Sequence, residues 1–246
     1  MTTSARADVF LVEHGYARTR AEAQEAIEAG KVFDGGRRII KPSQHLNETS
    51  RIKYERAHPF VSRGALKLAG ALKHFDLTPY ERVCLDLGAS TGGFSEVLLM
   101  HGATKVFAVD VGHGQIDPKI AKDPRVVNIE RTNARDLSDK HIPGRKPQAI
   151  VADLSFISLK LALPPALNMA APDAWLIALV KPQFEVGKEN VGKGGIVKDE
   201  FAQTEAAVKI QQWLVHEQGW TNLGLMESPI KGGDGNREFL IAARKS

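Results

Sequence analysis

The stretch VCLDLGASTGGFSEVLL, residues 83–99, decides the fold of this chain of 246 residues. Its first five residues are typical of a buried strand, and the apolar spacing after residue 93 is typical of a helix. The loop between them is rich in glycine, which lets a backbone approach a ligand closely. A strand, a glycine-rich loop and a helix in this order form the ligand-binding edge of a doubly wound sheet. We therefore expect an α/β domain with a nucleotide-like ligand at this loop.

Beyond residue 83, short apolar runs alternate with helical patterns. The strand candidates are VCLDL, KVFAVD, VVNIE, QAIVAD and AWLIALVK, and the helical patterns include FSEVLLMHG, SLKLALPPALNMA and EFAQTEAAVKIQQWLVHEQG. Nearly continuous apolar strands indicate a mostly parallel sheet with helices on both faces, which is a Rossmann-like arrangement. The runs NLGLMESPI and EFLIAAR, joined by IKGGDGNR, predict an antiparallel hairpin at one edge of this sheet.

The beginning of the chain predicts a small α+β unit of two helices and a hairpin. The first helix lies around ADVFLVEHG, and the second covers residues 19–29, with Thr19 and Glu22 at capping-box spacing and Gly30 as its stop. KVFDGGRRIIKP alternates around a DGG turn, as a hairpin does. RAHPFVS is typical of a linker. The expected organisation is a domain at 1–56, a linker at 57–62 and a domain at 63–246.

Composition narrows the class of protein and its location. The net charge of +4 and the pI near 9.1 fit a polyanionic partner, although many enzymes without one are equally basic. The single cysteine, Cys84, excludes a disulfide framework and a cysteine metal site, which favours a reducing, cytoplasmic setting. MTTSARADVF lacks the pattern of a secretion signal. Prolines and polar residues interrupt the longest apolar candidate, residues 159–180, so we expect no membrane-spanning segment.

The spacing of the loop glycines separates two kinds of ligand. A dinucleotide site needs G-x-G-x-x-G against a pyrophosphate, whereas Gly88, Gly92 and Gly93 are spaced G-x-x-x-G-G. Asp86 would repel a diphosphate but tolerates the cationic sulfonium of S-adenosylmethionine (SAM). SAM is therefore favoured over NAD, and a tight turn without a ligand explains the glycines less well.

Two positions after the next strands suit other parts of the same ligand. Asp110 ends the second strand, where a carboxylate fits the two hydroxyls of a ribose. Asn133, after the third strand, either bonds an adenine edge or is a turn residue.

Residues 187–194 nearly match a different phosphate-binding loop. They come within one residue of G-x-x-x-x-G-K followed by Ser or Thr, but Gly194 replaces the hydroxyl that would hold magnesium. The segment also does not join a strand directly to a helix. We expect it to be a mobile loop.

Four charged residues interrupt apolar patterns. Asp153 ends QAIVAD and Lys181 ends AWLIALVK, and the carboxyl ends of parallel strands meet at the edge that holds the glycine-rich loop. Lys67 lies on the helix ALKLAGALKHF, and Glu238 opens the last strand. Taken singly, each is more typical of a surface or salt-bridge residue than of a catalyst. Two strand-end charges beside a SAM loop favour catalysis for Asp153 and Lys181.

Ordered motifs over nearly the whole chain resemble a known family. ARADVFLVEHGYARTRAEAQEAIEAGKV resembles the RNA-binding domain first described in ribosomal protein S4. VSRGALKL, LDLGASTGGFSEVLL, VADLSFIS, LVKPQFE, VGKGGIVKD and GNREFL, in that order, resemble the TlyA family of ribosomal RNA 2′-O-methyltransferases, which is related to the FtsJ-like enzymes.

The resemblance implies specific site residues. It implies a catalytic tetrad of Lys67, Asp153, Lys181 and Glu238. It implies SAM contacts by Asp86, Gly88, Ala89, Ser90, Thr91, Gly92, Gly93, Phe94, Asp110, Asn133 and Ala134. Relatives often carry an aspartate at the position of Asn133.

The tetrad suggests a reaction that needs no metal. A ribose hydroxyl is a weak acid, and the methyl of a sulfonium needs an in-line nucleophile held close to it. Lys181, desolvated and repelled by Lys67, could lose its proton and act as general base, with Asp153 orienting it. If Lys181 stays protonated, it would instead stabilise the forming alkoxide. Lys67 and Glu238 would then position the ribose.

The expected RNA contacts fall in both domains. In the second domain they are Arg63, Arg131, Arg135 and Phe156, whose ring either stacks on a flipped base or packs in the core. In the first domain they include Arg6, Arg18, Arg20 and Lys41, which would hold phosphates.

The function expected from the resemblance is methylation of a cytidine ribose in ribosomal RNA of the large subunit, in some members also of the small subunit. The substrate is ribosomal RNA or a ribosomal subunit. One alternative is a non-catalytic ribosome-binding or membrane-active protein, because the family is also labelled haemolysin. Another is an NAD-dependent oxidoreductase, which the glycine spacing disfavours.

Overall fold

The computed structural model describes residues 4–232 and 235–246. The described chain divides into two compact units, one ending at Pro59 and one beginning at Phe60. This division lies inside the segment expected to be a linker, and the domain limits 1–56 and 63–246 remain predictions. The first three residues of MTTSARADVF, and Gly233 and Asp234 within IKGGDGNR, lie outside the described residues.

The first unit is a small α+β fold. Two helices pack on each other and on short antiparallel strands, and their buried side chains include Phe10, Leu11 and Ile27. The helices are α1 (Ala7–Glu13) and α2 (Arg20–Glu28); the strands are β1 (Ala5–Arg6), β2 (Val32–Asp34), β3 (Arg37–Arg38), β4 (His45–Leu46) and β5 (Ile52–Tyr54). β1 pairs with β4, and β2 lies between β3 and β5.

The helix cap and the hairpin turn that the sequence predicts are both present in the first unit. Thr19 caps α2 by accepting the N–H of Glu22 at 3.2 Å, and the Glu22 carboxylate accepts the N–H of Arg18. The helix ends at Glu28, and Gly30, two residues later, has a φ of +69°, which favours glycine. The hairpin of β2 and β3 turns through two successive glycines with positive φ, as a two-residue turn requires.

The second unit contains a seven-stranded sheet with both faces covered. The strands are β6 (Val83–Leu87), β7 (Lys105–Val109), β8 (Val126–Ile129), β9 (Ala149–Ala152), β10 (Trp175–Val180), β11 (Trp220–Glu227) and β12 (Phe239–Lys245). Their order is β11-β12-β10-β9-β6-β7-β8, with parallel pairing from β10 to β8. The predicted antiparallel hairpin is confirmed: β12 pairs antiparallel with both β10 and β11.

Alternating residues of the strands supply two buried clusters. Leu85 and Ile150 belong to one cluster, which also contains side chains of the long helix near the chain end. Cys84 and Val151 belong to the other, together with Leu68 and other side chains of the helices on that face. The helices are α3 (Gly64–His74), α4 (Gly93–Met100), α5 (Pro118–Ala121), α6 (Leu159–Ala162), α7 (Pro164–Met169) and α8 (Glu200–His216). Continuous apolar strands thus face helices on both sides, as expected.

The segment SLKLALPPALNMA forms two short helices, α6 and α7. Pro164 and Pro165 begin the second one, because proline fits the first turn of a helix but cannot continue one. Residues 187–194 lie in 3₁₀ turns and irregular backbone, and no strand passes directly into a helix there. None of the described helices combines the length and the apolar character needed to cross a membrane.

The sheet brings five chain segments to one edge. β6, β7, β9 and β10 are parallel, so the residues that follow them emerge together. β12 runs the opposite way, and its first residue, Phe239, pairs with Val180, the last residue of β10. Glu238 directly precedes β12 and Lys181 directly follows β10, so both lie at the edge of the sheet that carries the glycine-rich loop.

Candidate active site

Four charged residues meet at this edge as two ion pairs. Nζ of Lys67, from α3, donates to Oε2 of Glu238 at 2.5 Å. Nζ of Lys181 lies 2.6 Å from Oδ1 of Asp153. The second contact is an ion pair without hydrogen-bond alignment, because no donor among the described residues meets Oδ1 of Asp153 at a suitable angle. The structure thus brings together all four residues of the expected tetrad.

The two pairs are coupled electrostatically. The Glu238 side chain is only 3% exposed. Burial raises the pKa of Glu238 above its usual value, while the positive charges of Lys67 and Lys181 oppose this shift and Asp153 adds to it. Glu238 therefore experiences the charge of every other member. Such groups tolerate burial only when they are paired.

A small pocket opens onto the tetrad. It has a volume of about 350 Å³ and is lined by Lys181, Glu238, Ser155, Phe156, Gln183, Phe184, Val191, Gly194 and Gly195. Ser155 was not singled out from the sequence, although it accepts a hydrogen bond from Nζ of Lys181 at 2.8 Å. Its only signal was its position two residues after Asp153. With the amine of Lys181, the carboxylate of Glu238 and the hydroxyl of Ser155 in its lining, the pocket can bind a hydroxyl group and move or stabilise its proton.

A larger cleft lies beside the pocket. Its volume is about 960 Å³. Gly88, Ser90, Asp110, Asn133 and Ala134 of the expected cofactor residues line it, together with Val111, Gln115 and Leu161. The remaining expected cofactor residues do not line it: Asp86, Ala89, Gly92, Gly93 and Phe94 are buried, and Thr91 is exposed. The cleft and the pocket share Ser155, Phe156, Gln183 and Phe184, so a ligand in one would lie next to a ligand in the other.

Gly88 lets the loop pass directly over the next strand end. Its φ is +79°, and a Cβ at this position would lie 2.4 Å from the carbonyl oxygen of Asp153. Any larger residue would therefore strain the backbone and push the loop away from Asp153. The glycine thus couples the shape of the cleft to a member of the tetrad.

Asp86 is a fully buried carboxyl beneath this loop. Its Oδ2 accepts a hydrogen bond from Oγ of Ser95 on α4 at 2.7 Å, while Oδ1 has no hydrogen-bond partner among the described residues. Burial raises the pKa of Asp86 to about 7; the Ser95 hydrogen bond opposes this, and the negative charges of Asp153 and Asp110 add to it. A buried carboxyl of this kind is a characteristic of functional sites.

Asp110 joins the two loops that border the cleft. Its Oδ2 accepts the N–H of Ser90 at 2.8 Å, and its Oδ1 accepts the N–H of Gly112 at 2.7 Å. A carboxylate has about four acceptor sites, so it can still bind ribose hydroxyls. The two hydrogen bonds hold it in place for that role.

Asn133 acts as a turn residue in this structure. Its Oδ1 accepts the N–H of Arg135 at 3.2 Å and caps the 3₁₀ turn Ala134–Asp136. The side-chain oxygen of Asn133 therefore does what the sequence predicts for a turn residue. Its amide group remains at the cleft, where an adenine contact stays a prediction.

Of the expected RNA residues of the second unit, Phe156 and Arg135 line a cavity, whereas Arg63 and Arg131 line neither. Phe156 is 91% exposed, and its ring centre lies 5.2 Å from that of Phe184. The alternative that Phe156 packs in the core is therefore wrong. Arg135 lines the cleft, Arg131 is exposed but is not part of its lining, and Arg63 donates to the carbonyl of Lys231 at 3.3 Å.

The basic residues of the first unit are exposed but mostly paired. Arg6 and Arg20 form ion pairs with Asp8, and Arg18 pairs with Glu22. Lys41 is exposed. Sequence reasoning did not single out Asp8, because an acidic residue at the start of a helix is a common feature.

Cys84 is buried, and burial raises the pKa of its thiol to about 12. Within residues 4–232 and 235–246, no three His, Cys, Asp or Glu side chains are grouped so that they could hold a metal ion.

Comparison with known proteins decides the family. The model of the FtsJ-like methyltransferases matches residues 60–245, and the model of the S4 domain matches residues 5–52. The 16S/23S rRNA (cytidine-2′-O)-methyltransferase TlyA of Mycobacterium tuberculosis is 46% identical over 99% of this chain and 91% of its own length. The chain belongs to the TlyA family. It is an FtsJ-like methyltransferase with an S4 domain.

Other TlyA relatives carry a different name. Hemolysin A of Brachyspira hyodysenteriae is 37% identical over 96% of this chain and 98% of its own length. A solved structure of a protein named as a hemolysin, from Streptococcus thermophilus, is 36% identical and covers 100% of this chain and 90% of its own, with a TM-score of 0.79. Both proteins with the hemolysin name thus match this chain over nearly its whole length.

The cleft residues of this TlyA member fit SAM. The fold is that of the SAM-dependent methyltransferases. Gly88 leaves room for a close approach of backbone, and Asp110 has acceptor sites for a ribose. Val111 and Leu161 supply exposed apolar surface in the cleft lining, where an adenine could lie.

Replacement of Gly88 by alanine should destabilise the second unit. Gly114 offers a matched control, because its φ of +66° is equally unusual but a Cβ there meets nothing within 4 Å. We expect Gly88→Ala to lower the free energy of unfolding by about 1–3 kcal/mol more than Gly114→Ala. Denaturant titration followed by tryptophan fluorescence measures this for the second unit alone, because Trp175, Trp213 and Trp220 all lie in it. Equal losses in both variants would contradict the collision with Asp153.

The buried Asp86 should make stability depend on pH. Because its pKa of about 7 in the folded protein exceeds the usual value near 4, the folded state holds the extra proton between these values. The free energy of unfolding should therefore fall as pH rises from about 4 to 7, by something of the order of 4 kcal/mol from this group. Asp86→Asn should lack this part of the fall in the same fluorescence titration.

Asp139→Asn, which changes an exposed carboxyl of the same unit, serves as the control and should retain the fall. Burial also raises the pKa values of Glu185 and Glu238, so part of the pH dependence should remain in Asp86→Asn. A wild-type slope in that variant would show that Asp86 does not hold a proton at neutral pH.

Proposed function

We propose that this protein transfers the methyl group of SAM to the ribose 2′-oxygen of a cytidine in ribosomal RNA. The observation that carries the proposal is the pair of coupled ion pairs, Lys67 with Glu238 and Lys181 with Asp153. Glu238 and Lys181 line the pocket, Asp153 lines the cleft, and the two cavities share a wall. The name of the M. tuberculosis relative supports the substrate, and the S4 domain supports RNA as the partner. The protein would act on ribosomal RNA or subunits in the cytoplasm.

Lys181 would be the general base. Bound in the cleft, SAM would supply a methyl group attached to a cationic sulfur, and the sulfur would keep the electron pair of the broken S–C bond. Lys181, held by Asp153 and Ser155, first gives one proton to solvent and then, as a neutral amine, accepts the proton of the 2′-hydroxyl as the new O–C bond forms. Lys67 and Glu238 are less exposed than Lys181. Glu238 lines the pocket and would orient the ribose, and Lys67 would hold Glu238 in place. No step requires a metal.

A charge-only role for Lys181 is the competing mechanism. Arginine keeps the positive charge at this position but cannot accept a proton in a protein. Both Lys181→Ala and Lys181→Arg should therefore lower kcat for methyl transfer by about 10²–10⁴-fold. The measurement is transfer of labelled methyl groups to ribosomal subunits or to their RNA. Activity near wild type in Lys181→Arg would replace the base by an electrostatic role.

The control for this series is Lys105→Ala. Lys105 begins β7, at the opposite edge of the sheet from the pocket. It should methylate as the wild type does. A map of ribose methylation on both ribosomal RNAs, with and without the protein, identifies the modified nucleotide and shows whether it lies in the large subunit alone. Absence of any new 2′-O-methyl cytidine would overturn the proposed function.

Phe156 would hold the target base outside its helix. Its backbone has a φ of +65°, which is unusual for a bulky residue and persists only when the surroundings enforce it. An exposed ring at the shared wall of both cavities can stack on an unpaired base and place its ribose between SAM and Lys181.

Removal of this ring should weaken the use of RNA. Stacking on a base contributes about 1–3 kcal/mol, so Phe156→Ala should raise KM for the RNA substrate by at least about fivefold. Phe156→Trp should preserve activity. Phe201→Ala is the matched control, because Phe201 is 76% exposed on α8 but lines neither cavity. Equal kinetics for Phe156→Ala and Phe201→Ala would remove the stacking role.

A further inference from the structure

Asp8 is a buried acid in the first unit that the proposed mechanism does not use. It is the second residue of α1, and its side chain has no exposed surface. Burial alone would keep a carboxyl neutral and raise its pKa. Here, hydrogen bonds from Arg6, Gln24 and Arg20 outweigh burial, so the pKa of Asp8 lies below its usual range.

Two arginine side chains grip this carboxylate from outside. Arg6 donates from Nε to Oδ1 at 3.0 Å and from Nη2 to Oδ2 at 3.2 Å. Arg20 donates from Nη2 and Nε to Oδ2, at 2.9 and 3.3 Å. Gln24 completes the set at 2.7 Å. The carboxylate thus fixes the planes of the guanidinium groups of Arg6 and Arg20, which lie fourteen positions apart in the chain.

The exposure of the three charged groups is unequal. Asp8 is 0% exposed, whereas Arg6 is 44% and Arg20 58% exposed. A guanidinium carries five N–H donors, and each arginine spends only two on Asp8. Three donors on each remain for other acceptors. Asp8 therefore fixes the orientation of each guanidinium group, and the N–H groups that do not bind Asp8 can donate to a second partner.

We propose that Asp8 is a positioning residue that holds Arg6 and Arg20 as a two-armed clamp for phosphates of the RNA backbone. Planar forks of this kind match phosphate oxygens in pairs, and a clamp with fixed orientation loses less side-chain freedom on binding. The inference rests on the proposed RNA substrate and adds the group that organises these contacts.

A charge argument predicts the opposite effect of Asp8. If the carboxylate only neutralised two cations, its removal would raise the net charge above +4 and strengthen binding to RNA. If it positions them, its removal frees both side chains and weakens binding despite the added positive charge. The direction in which RNA affinity changes in Asp8→Asn therefore distinguishes a neutralising role of Asp8 from a positioning role.

The test uses the full chain and ribosomal RNA at about 0.15 M salt. We expect Asp8→Asn to weaken binding at least about tenfold, as the loss of a charge-assisted hydrogen bond does, and to raise KM for RNA with little change in kcat. In a titration with salt, the slope of log K against log salt should become shallower by up to about two, the contribution of two phosphates. Unchanged or tighter binding overturns the proposal.

A double-mutant cycle distinguishes positioning from general damage to the fold. Arg6→Gln with Arg20→Gln removes both arms, and adding Asp8→Asn to this pair should cause no further loss of RNA affinity. A further loss of similar size to that of Asp8→Asn alone would show that Asp8 acts by some other route. Glu55→Gln is the control, since Glu55 is an exposed acid of the same unit that pairs with Lys31 and Lys53; its affinity should equal or exceed that of the wild type.

Arg20→Lys keeps the inference testable if Asp8→Asn does not fold. Arg20 is mostly exposed, and lysine keeps the charge but cannot bind Asp8 and a phosphate through one rigid fork. It should lose as much affinity as Arg20→Gln. Wild-type affinity in Arg20→Lys would overturn the clamp. Absence of ribosomal RNA binding by the wild type would instead refute the proposed function, so the two failures are distinguishable.

Discussion

Burial of opposite charges is the constraint on which the edge of the sheet beside the pocket depends. Lysine and carboxylate groups can leave water together, because each replaces part of the solvation that the other loses. Lys67 with Glu238 and Lys181 with Asp153 meet this condition at the point where β9, β10 and β12 end or begin. Removing one member of such a pair leaves its partner buried alone, which typically costs about 3–5 kcal/mol. The same contacts therefore hold the edge together and present an amine to the pocket.

Three buried carboxyl groups in this protein show how strongly the partner decides the protonation state. Asp8 is held by two guanidinium groups and an amide, which lower its pKa. Glu238 has one close ammonium, and burial prevails, so its pKa is raised. The only side-chain hydrogen bond to Asp86 among the described residues comes from the hydroxyl of Ser95, and burial raises the pKa of Asp86 to about 7. Burial is common to all three, and the number of cationic donors makes the difference.

Unusual backbone accompanies the cavities. Ser90 and Phe156 both have positive φ, although neither is glycine. Ser90 lies in the cleft lining, and its N–H is bound by Asp110; Phe156 lies on the wall between cleft and pocket. Conformations of this kind cost about 1–3 kcal/mol each and are maintained by surrounding contacts. The cavity shape is thus set by loops that are held in less favoured conformations by the sheet edge beneath them.

The amino-acid sequence by itself determined the order of strands and helices in the second unit, the helix cap at Thr19, the hairpin glycines and the strand-end positions of Asp153 and Lys181. These features depend on periodicity and on the conformational limits of single residues, which act over a few positions. The membership of the tetrad came from resemblance to a family, since nothing local marks Lys67 or Glu238.

Tertiary structure decided which distant side chains share a partner. Lys67 and Glu238 are separated by 171 positions and meet at 2.5 Å only because β12 returns antiparallel to β10. Ser155 beside Lys181, Ser95 beneath Asp86 and the two arginines around Asp8 were likewise not visible in any sequence pattern. Burial, hydrogen-bond geometry and the pKa values that follow from them belong to the packed chain. They arise from contacts between segments whose spacing along the sequence carries no information about their distance in space.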